Sequence, residues 1–135
     1  MNHQPHTQTP APTAYWAEVR AAGPVFGTTH TAHHTLSTHR TLSPVLALRW
    51  LQHQALRIAD RLDPDPAHSP WVQPTLRTPA VPLPDCPTEL RVWATDPNEQ
   101  LTARHHLRHG HTLVITIPDT DCTYTLSVLA ETPRR

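Results

Sequence analysis

The stretch Ser43–Leu62, SPVLALRWLQHQALRIADRL, constrains this chain more than any other, because cap, propensity and periodicity agree there. Ser43 suits an N-cap, and Pro44 stands at the first helical position, where its missing N–H has no intrahelical role. Leu48, Leu51, Ala55, Ile58 and Leu62 recur at alternating spacings of three and four, which places them on one helical face. Val45, Leu56 and Ala59 widen the stripe to one that must be buried against other elements. Arg49, His53, Arg57, Asp60 and Arg61 mark the opposite, polar side. Asp63-Pro64 ends the helix, since a residue before proline avoids the α region. Leu46 and Trp50, one turn apart, break the pattern by pointing toward the polar side. Either a neighbouring segment covers them, or they form an exposed anchor for a partner beside Arg57.

Such a helix needs a core, and the composition limits how much core there is. Hydrophobic residues make up 37% of the 135 positions, below the roughly 45–50% apolar share of an average globular chain. The deficit lies in 16 prolines, 12 histidines and many threonines, so ordered core and irregular chain should alternate. All 11 basic residues are arginine, balanced by 11 acids. A GC-rich, C-skewed bacterial coding strand would generate much of this bias, lysine codons being A-rich. A zero net charge gives no bulk attraction to nucleic acid. No apolar run approaches the roughly 20 residues needed to span a membrane. The N-terminus, MNHQPHTQTPAPT, lacks the charged-then-apolar pattern of a signal peptide. These features lead us to expect a cytoplasmic protein. Two cysteines, Cys86 and Cys122, are too few for a disulfide framework and read as small buried residues.

Taken in order, the chain predicts an α+β protein. Residues 1–12 form a polar tail and 13–63 a helical region of about three helices. In that region a short helix spans Thr13 or Ala14 to Ala22, closed by Gly23 and Pro24. A weaker one spans Thr29–His39 and packs on the Ser43 helix. Residues 64–88 hold 8 prolines and read as an extended linker. Residues 89–130 predict a β-α-β-β unit with a small mixed three-stranded sheet, followed by a tail at 131–135. Leu90–Thr95 alternates as a half-buried strand. Asp96-Pro97-Asn98-Glu99 reads as a capping box opening a helix to His109, with Gly110 as its C′ residue. Thr112–Ile117 and Cys122–Val128 follow as strands around Pro118-Asp119-Thr120-Asp121. A right-handed crossover makes the first two strands parallel. The order helix, Gly110, apolar strand, turn, strand over Val92–Leu129 resembles the N-terminal part of small antitoxin-type repressors. That resemblance covers under a third of the chain and carries no site residue with it.

Functional candidates fall into three groups. Partner contacts centre on Leu46, Trp50 and Arg57, with Trp93 as a further aromatic anchor. Nucleic-acid contacts would use Arg49, Arg57 and Arg61 on the central helix, and Arg104 and Arg108 on the second. Metal contacts would use His105 and His109, one helical turn apart, with His111, and likewise His30 and His34; such a pair also takes up Zn or Ni adventitiously. No G-x-S-x-G elbow, phosphate loop, H-E-x-x-H or dinucleotide fingerprint occurs. The expectation is a non-enzymatic binding or accessory protein that acts on a protein partner or on itself and needs no cofactor. A DNA-binding regulator and a histidine metal site stand as the alternatives.

Overall fold

The computed structural model describes residues 11–63 and 85–133. Two strands open it, β1 (Ala14–Pro24) and β2 (Thr31–Thr41). Three helices follow, α1 (Pro44–Leu62), α2 (Cys86–Thr95) and α3 (Pro97–Arg108), and then β3 (Leu113–Pro118) and β4 (Thr123–Glu131). The four strands form one antiparallel sheet in the order β2-β1-β4-β3. The architecture is α+β, but it corrects the expected arrangement in three respects. The N-terminal part is a hairpin and one helix instead of three helices. Among the described residues the sheet has four strands instead of three and no parallel pair. Leu90–Thr95 is helical, so no β-α-β-β unit exists.

Each correction has a local cause. In Ala14–Ala22, alanines and Glu18 favour helix, yet Tyr15, Ala17 and Val19 also alternate, and all three are buried. The alternation prevails because β1 finds hydrogen-bonding partners on both sides, β2 and β4. Gly23 does not cap a helix. A Cβ there would stand 2.9 Å from the Asp121 carbonyl oxygen, so glycine lets β1 pass close under the β3–β4 turn. The residue that turns the chain is Gly27, in the left-handed region at φ 78°, where glycine meets no Cβ penalty.

In β2, β-branched threonines suit a pleated strand better than a helix, and β1 supplies the ladder. The register slips between Val19 and Arg20: Val19 pairs with Ser37 and Arg20 with Thr35. Leu36 is left over as the extra residue of a bulge.

In Cys86–Thr95, two-residue alternation and helical spacing coexist. Cys86, Pro87, Leu90, Trp93 and Ala94 are the buried set, and Cys86, Leu90, Trp93 and Ala94 fall at helical intervals. Asp85 caps this helix through its carboxylate to the Thr88 N–H at 2.9 Å, with proline in the first turn. Of the proline-rich stretch, 64–84 lies outside the described residues, while 85–88 begins α2.

α1 forms where the sequence places it, although Leu62 of the expected stripe is exposed and Ala47, outside it, is buried. Ser43 Oγ accepts from the Leu46 N–H at 3.3 Å, and Ala47, Leu48, Leu51, Ala55 and Ala59 are buried. The far end is held by Arg91 of α2. Its guanidinium bonds to Asp60 and Asp63 carboxylates at 3.1 and 3.0 Å and to the Asp63 carbonyl at 2.7 Å. α1 lies across one sheet face, against β1, β2 and β4, with α2 and α3 beside it. The core gathers Tyr15, Ala17 and Val19 of β1, Leu51, Leu90 and Leu107 of the helices, and Ile117, Leu126 and Val128 of the hairpin. The other sheet face carries Trp16, Glu18 and Arg20, with Thr38, Arg40, Thr125 and Leu129 across from them.

Leu51 is fully buried at the centre of this packing, whereas Leu42 is 76% exposed. Leu51→Ala should therefore cost about 2–5 kcal/mol of unfolding free energy. Leu42→Ala should stay within about 0.5 kcal/mol of the native chain. Urea denaturation of the two variants checks the difference.

Candidate functional site: a groove between two helices and the sheet edge

A groove of about 660 Å³ is bounded by α2, α3 and β3. Its walls are Val92 and Trp93 of α2, Thr102, Ala103 and His106 of α3, and Leu113, Val114 and Ile115 of β3. Glu89, Asp96 and Glu99 complete the lining. Trp93 is nearly buried, whereas Val92 and Val114 are each 56% exposed. An indole thus forms part of the wall while two aliphatic side chains face solvent beside it.

The α2–α3 joint that forms one end of the groove is braced by side-chain and backbone hydrogen bonds. α2 ends at Thr95, and α3 begins at Pro97, so the last carbonyls of α2 have no helical partner. Thr95 Oγ1 donates to Arg91 O at 2.7 Å, and the Asp96 N–H donates to Val92 O at 2.9 Å. Gln100 Nε2 donates to Trp93 O at 2.7 Å, and Gln52 Nε2 of α1 donates to Ala94 O at 3.0 Å. Asp96 Oδ1 accepts from the N–H groups of Asn98 and Glu99, at 2.9 and 3.4 Å. The expected capping box is therefore half realised. The Asp96 N–H that Glu99 would have taken is already engaged by α2.

The other candidates are dispersed. Trp50 is half-buried and stacks on His39 of β2, centroids 5.5 Å apart and planes 15° apart. The side of α1 expected to be polar is thus covered by β2 over this turn. Leu46 remains exposed one turn earlier, and Arg57 is exposed two turns later. Arg49 and Arg104 converge on a small cleft of about 120 Å³ between α1 and α3, also lined by Gln52 and Gln100. Arg104 Nε is buried there without a partner. Arg57 and Arg61 stand farther along α1, and Arg108 lies near Tyr15, whose phenol is pushed up by burial.

His105 and His109 lie at the end of α3, and a ring nitrogen of His109 is 2.6 Å from the His105 carbonyl oxygen. His106 stacks on His111, with 4.8 Å between centroids. His34 lies in β2 and His30 just before it. Four strand residues span about 13 Å, well beyond the reach of a helical pair. Among the described residues no group of three or more His, Cys, Asp or Glu side chains is placed to hold a metal ion.

Both cysteines are free thiols; Cys86 is buried at the start of α2, and Cys122 is half-buried before β4. Burial, with Asp119 and Cys122 nearby, pushes the Cys86 thiol up to about 11. Burial and a hydrogen bond with Cys122 push the Tyr124 phenol up to about 12.

Sequence reasoning singled out Trp93 but placed it on the wrong kind of element. It missed Val92, Ala103 and Val114 as site residues, because a groove between distant segments has no local signature. The signal for α2 was present in the helical spacing of Cys86, Leu90, Trp93 and Ala94. No helix among the described residues is long and apolar enough to cross a membrane. No family model matches the chain, and comparisons with curated proteins and with solved structures find no match either.

The Cys86 thiol and the Tyr124 phenol, both strongly raised, give a pH dependence of defined sign. Each is neutral when protonated and binds its proton more tightly in the folded chain, so stability falls where the unfolded chain ionises first. Their contribution should be constant below about pH 9, the ordinary thiol value, and be lost as pH rises through about 11 and 12. The urea midpoint followed against pH should show this decline, and Cys86→Ala should flatten its lower part.

Proposed function

We propose that this is a small non-enzymatic binding protein whose groove between α2, α3 and β3 takes a segment of a partner protein. The observation that carries the reading is the pairing of Trp93, nearly buried in the wall, with the exposed Val92 and Val114 beside it. An indole anchor ringed by aliphatic side chains in a preformed concavity is the composition in which binding energy concentrates. The hydrogen-bonded α2–α3 joint supports the same reading, because a rigid wall loses little entropy on binding. The alternative contact surface around Leu46 and Trp50 draws less support, since Trp50 is engaged by His39. A DNA-binding role draws less support as well. Of the five arginines proposed for it, only Arg49 and Arg104 meet in one cleft, and Arg20 and Arg40 of the sheet pair with Glu18 and Glu131.

The test uses Val92→Asp, which places a charge on the groove wall at an exposed position. A protein captured by the native chain should be lost by Val92→Asp and kept by Trp50→Ala. Once purified, it should slow amide hydrogen exchange in α2, α3 and β3. Protection confined to α1 and β2, or capture unaffected by Val92→Asp, would sink the reading.

A further inference from the structure

The groove also carries information about the kind of segment it accepts. Among the described residues β3 is the terminal strand of the sheet and pairs only with β4. Leu113, Val114 and Ile115 are consecutive, yet all three line the groove. Successive strand side chains point to opposite faces, so a concavity touching all three runs along the free edge of the strand. The backbone groups of that edge have no partner strand among the described residues. Nor is the edge protected by the usual devices: LVITI contains no charge, and proline enters only at Pro118. Opposite the edge stand Val92, Trp93 and Ala103.

The charge of the lining is one-sided. Glu89, Asp96 and Glu99 contribute three carboxylates, and His106 is the only basic side chain. Asp96 is engaged as the cap of α3. Among the described residues neither Glu89 nor Glu99 takes part in an ion pair. Both lie in first turns of helices, where the dipole favours acids; this explains why they are tolerated and leaves their charge toward the groove. A second copy of β3 would bring no cation to them, since Leu113–Pro118 has none.

We propose that the groove binds an extended basic segment of a partner polypeptide, which pairs with β3 as a fifth strand. Its apolar side chains lie against Trp93 and Ala103, and its arginine or lysine side chains meet Glu89 and Glu99. Main-chain pairing supplies affinity, and alternate side chains supply selectivity. This rests on the groove being the binding site, as argued above.

A random linear-peptide library panned against the full chain, with Val92→Asp as counter-selection, tests it. The selected sequences should alternate apolar and other residues at a period of two and be enriched in Arg and Lys. The strongest, made synthetically, should lose at least about tenfold in affinity when alternate amides are N-methylated. It should also raise protection of β3 amides. Glu89→Gln with Glu99→Gln should weaken binding several-fold and flatten its salt dependence, while the urea midpoint falls only by the small loss of two helix-dipole contacts.

Peptides with apolar residues at helical spacing, acidic peptides, or indifference to N-methylation would overturn the strand-pairing proposal while leaving the groove as a binding site. The same holds if no peptide is selected but a native partner is lost by Val92→Asp. Peptides that bind Val92→Asp as well as the native chain would overturn both.

Discussion

The structure depends on the antiparallel pairing of β1 with β4, which joins residues 14–22 to 123–131. These strands are the two central ones of the sheet, and their inward residues, Tyr15, Ala17 and Val19 with Leu126 and Val128, form the floor on which the helices rest. Closing so long a loop costs chain entropy, and that cost is offset only when the whole inner face is buried at once. The α1 stripe packs on that floor. β2 and β3 flank the central pair, each joined to its neighbour by a short turn.

The helical layer has a second constraint, the joint at Asp96-Pro97. Proline forces a break between α2 and α3, and the break leaves carbonyls that need donors. Thr95, Gln100 and Gln52 supply side-chain donors, and the Asp96 N–H supplies the last. Gln52 belongs to α1, so the joint is tied to the central helix as well as to itself. This fixes the angle between α2 and α3, and that angle creates the groove beside β3. The groove thus traces back to Pro97 and to the hydroxyl and amide donors that satisfy the carbonyls it frees.

Much of the local structure was legible in the chain. Ser43-Pro44, the stripe from Leu48 to Leu62 and the stop at Asp63 define α1 without ambiguity, since every local preference agrees. Asp96-Pro97 and Gly110 likewise bracket α3, and Pro118–Asp121 marks the last turn. The N-terminal hairpin was not legible, because Ala14–Ala22 satisfies helical propensity and two-residue alternation together. Leu90–Thr95 carried the same double signal and resolved the other way. In both stretches the deciding factor was a partner distant in sequence: β4 for the first, and α1 with Arg91 reaching Asp60 and Asp63 for the second.

By itself, then, the amino-acid sequence determined the caps, the turns, the α1 stripe and the absence of bulk charge, all of which rest on interactions within a few residues. Tertiary structure alone decided that β1 is a strand, that Trp50 meets His39 and that Arg49 and Arg104 line one cleft. It also decided that Val92, Trp93, Ala103 and Val114 enclose one groove. The physical reason is the same throughout. Propensities differ by tenths of a kcal/mol per residue, whereas pairing a strand and burying its face is worth several, so long-range partners override ambiguous local preference.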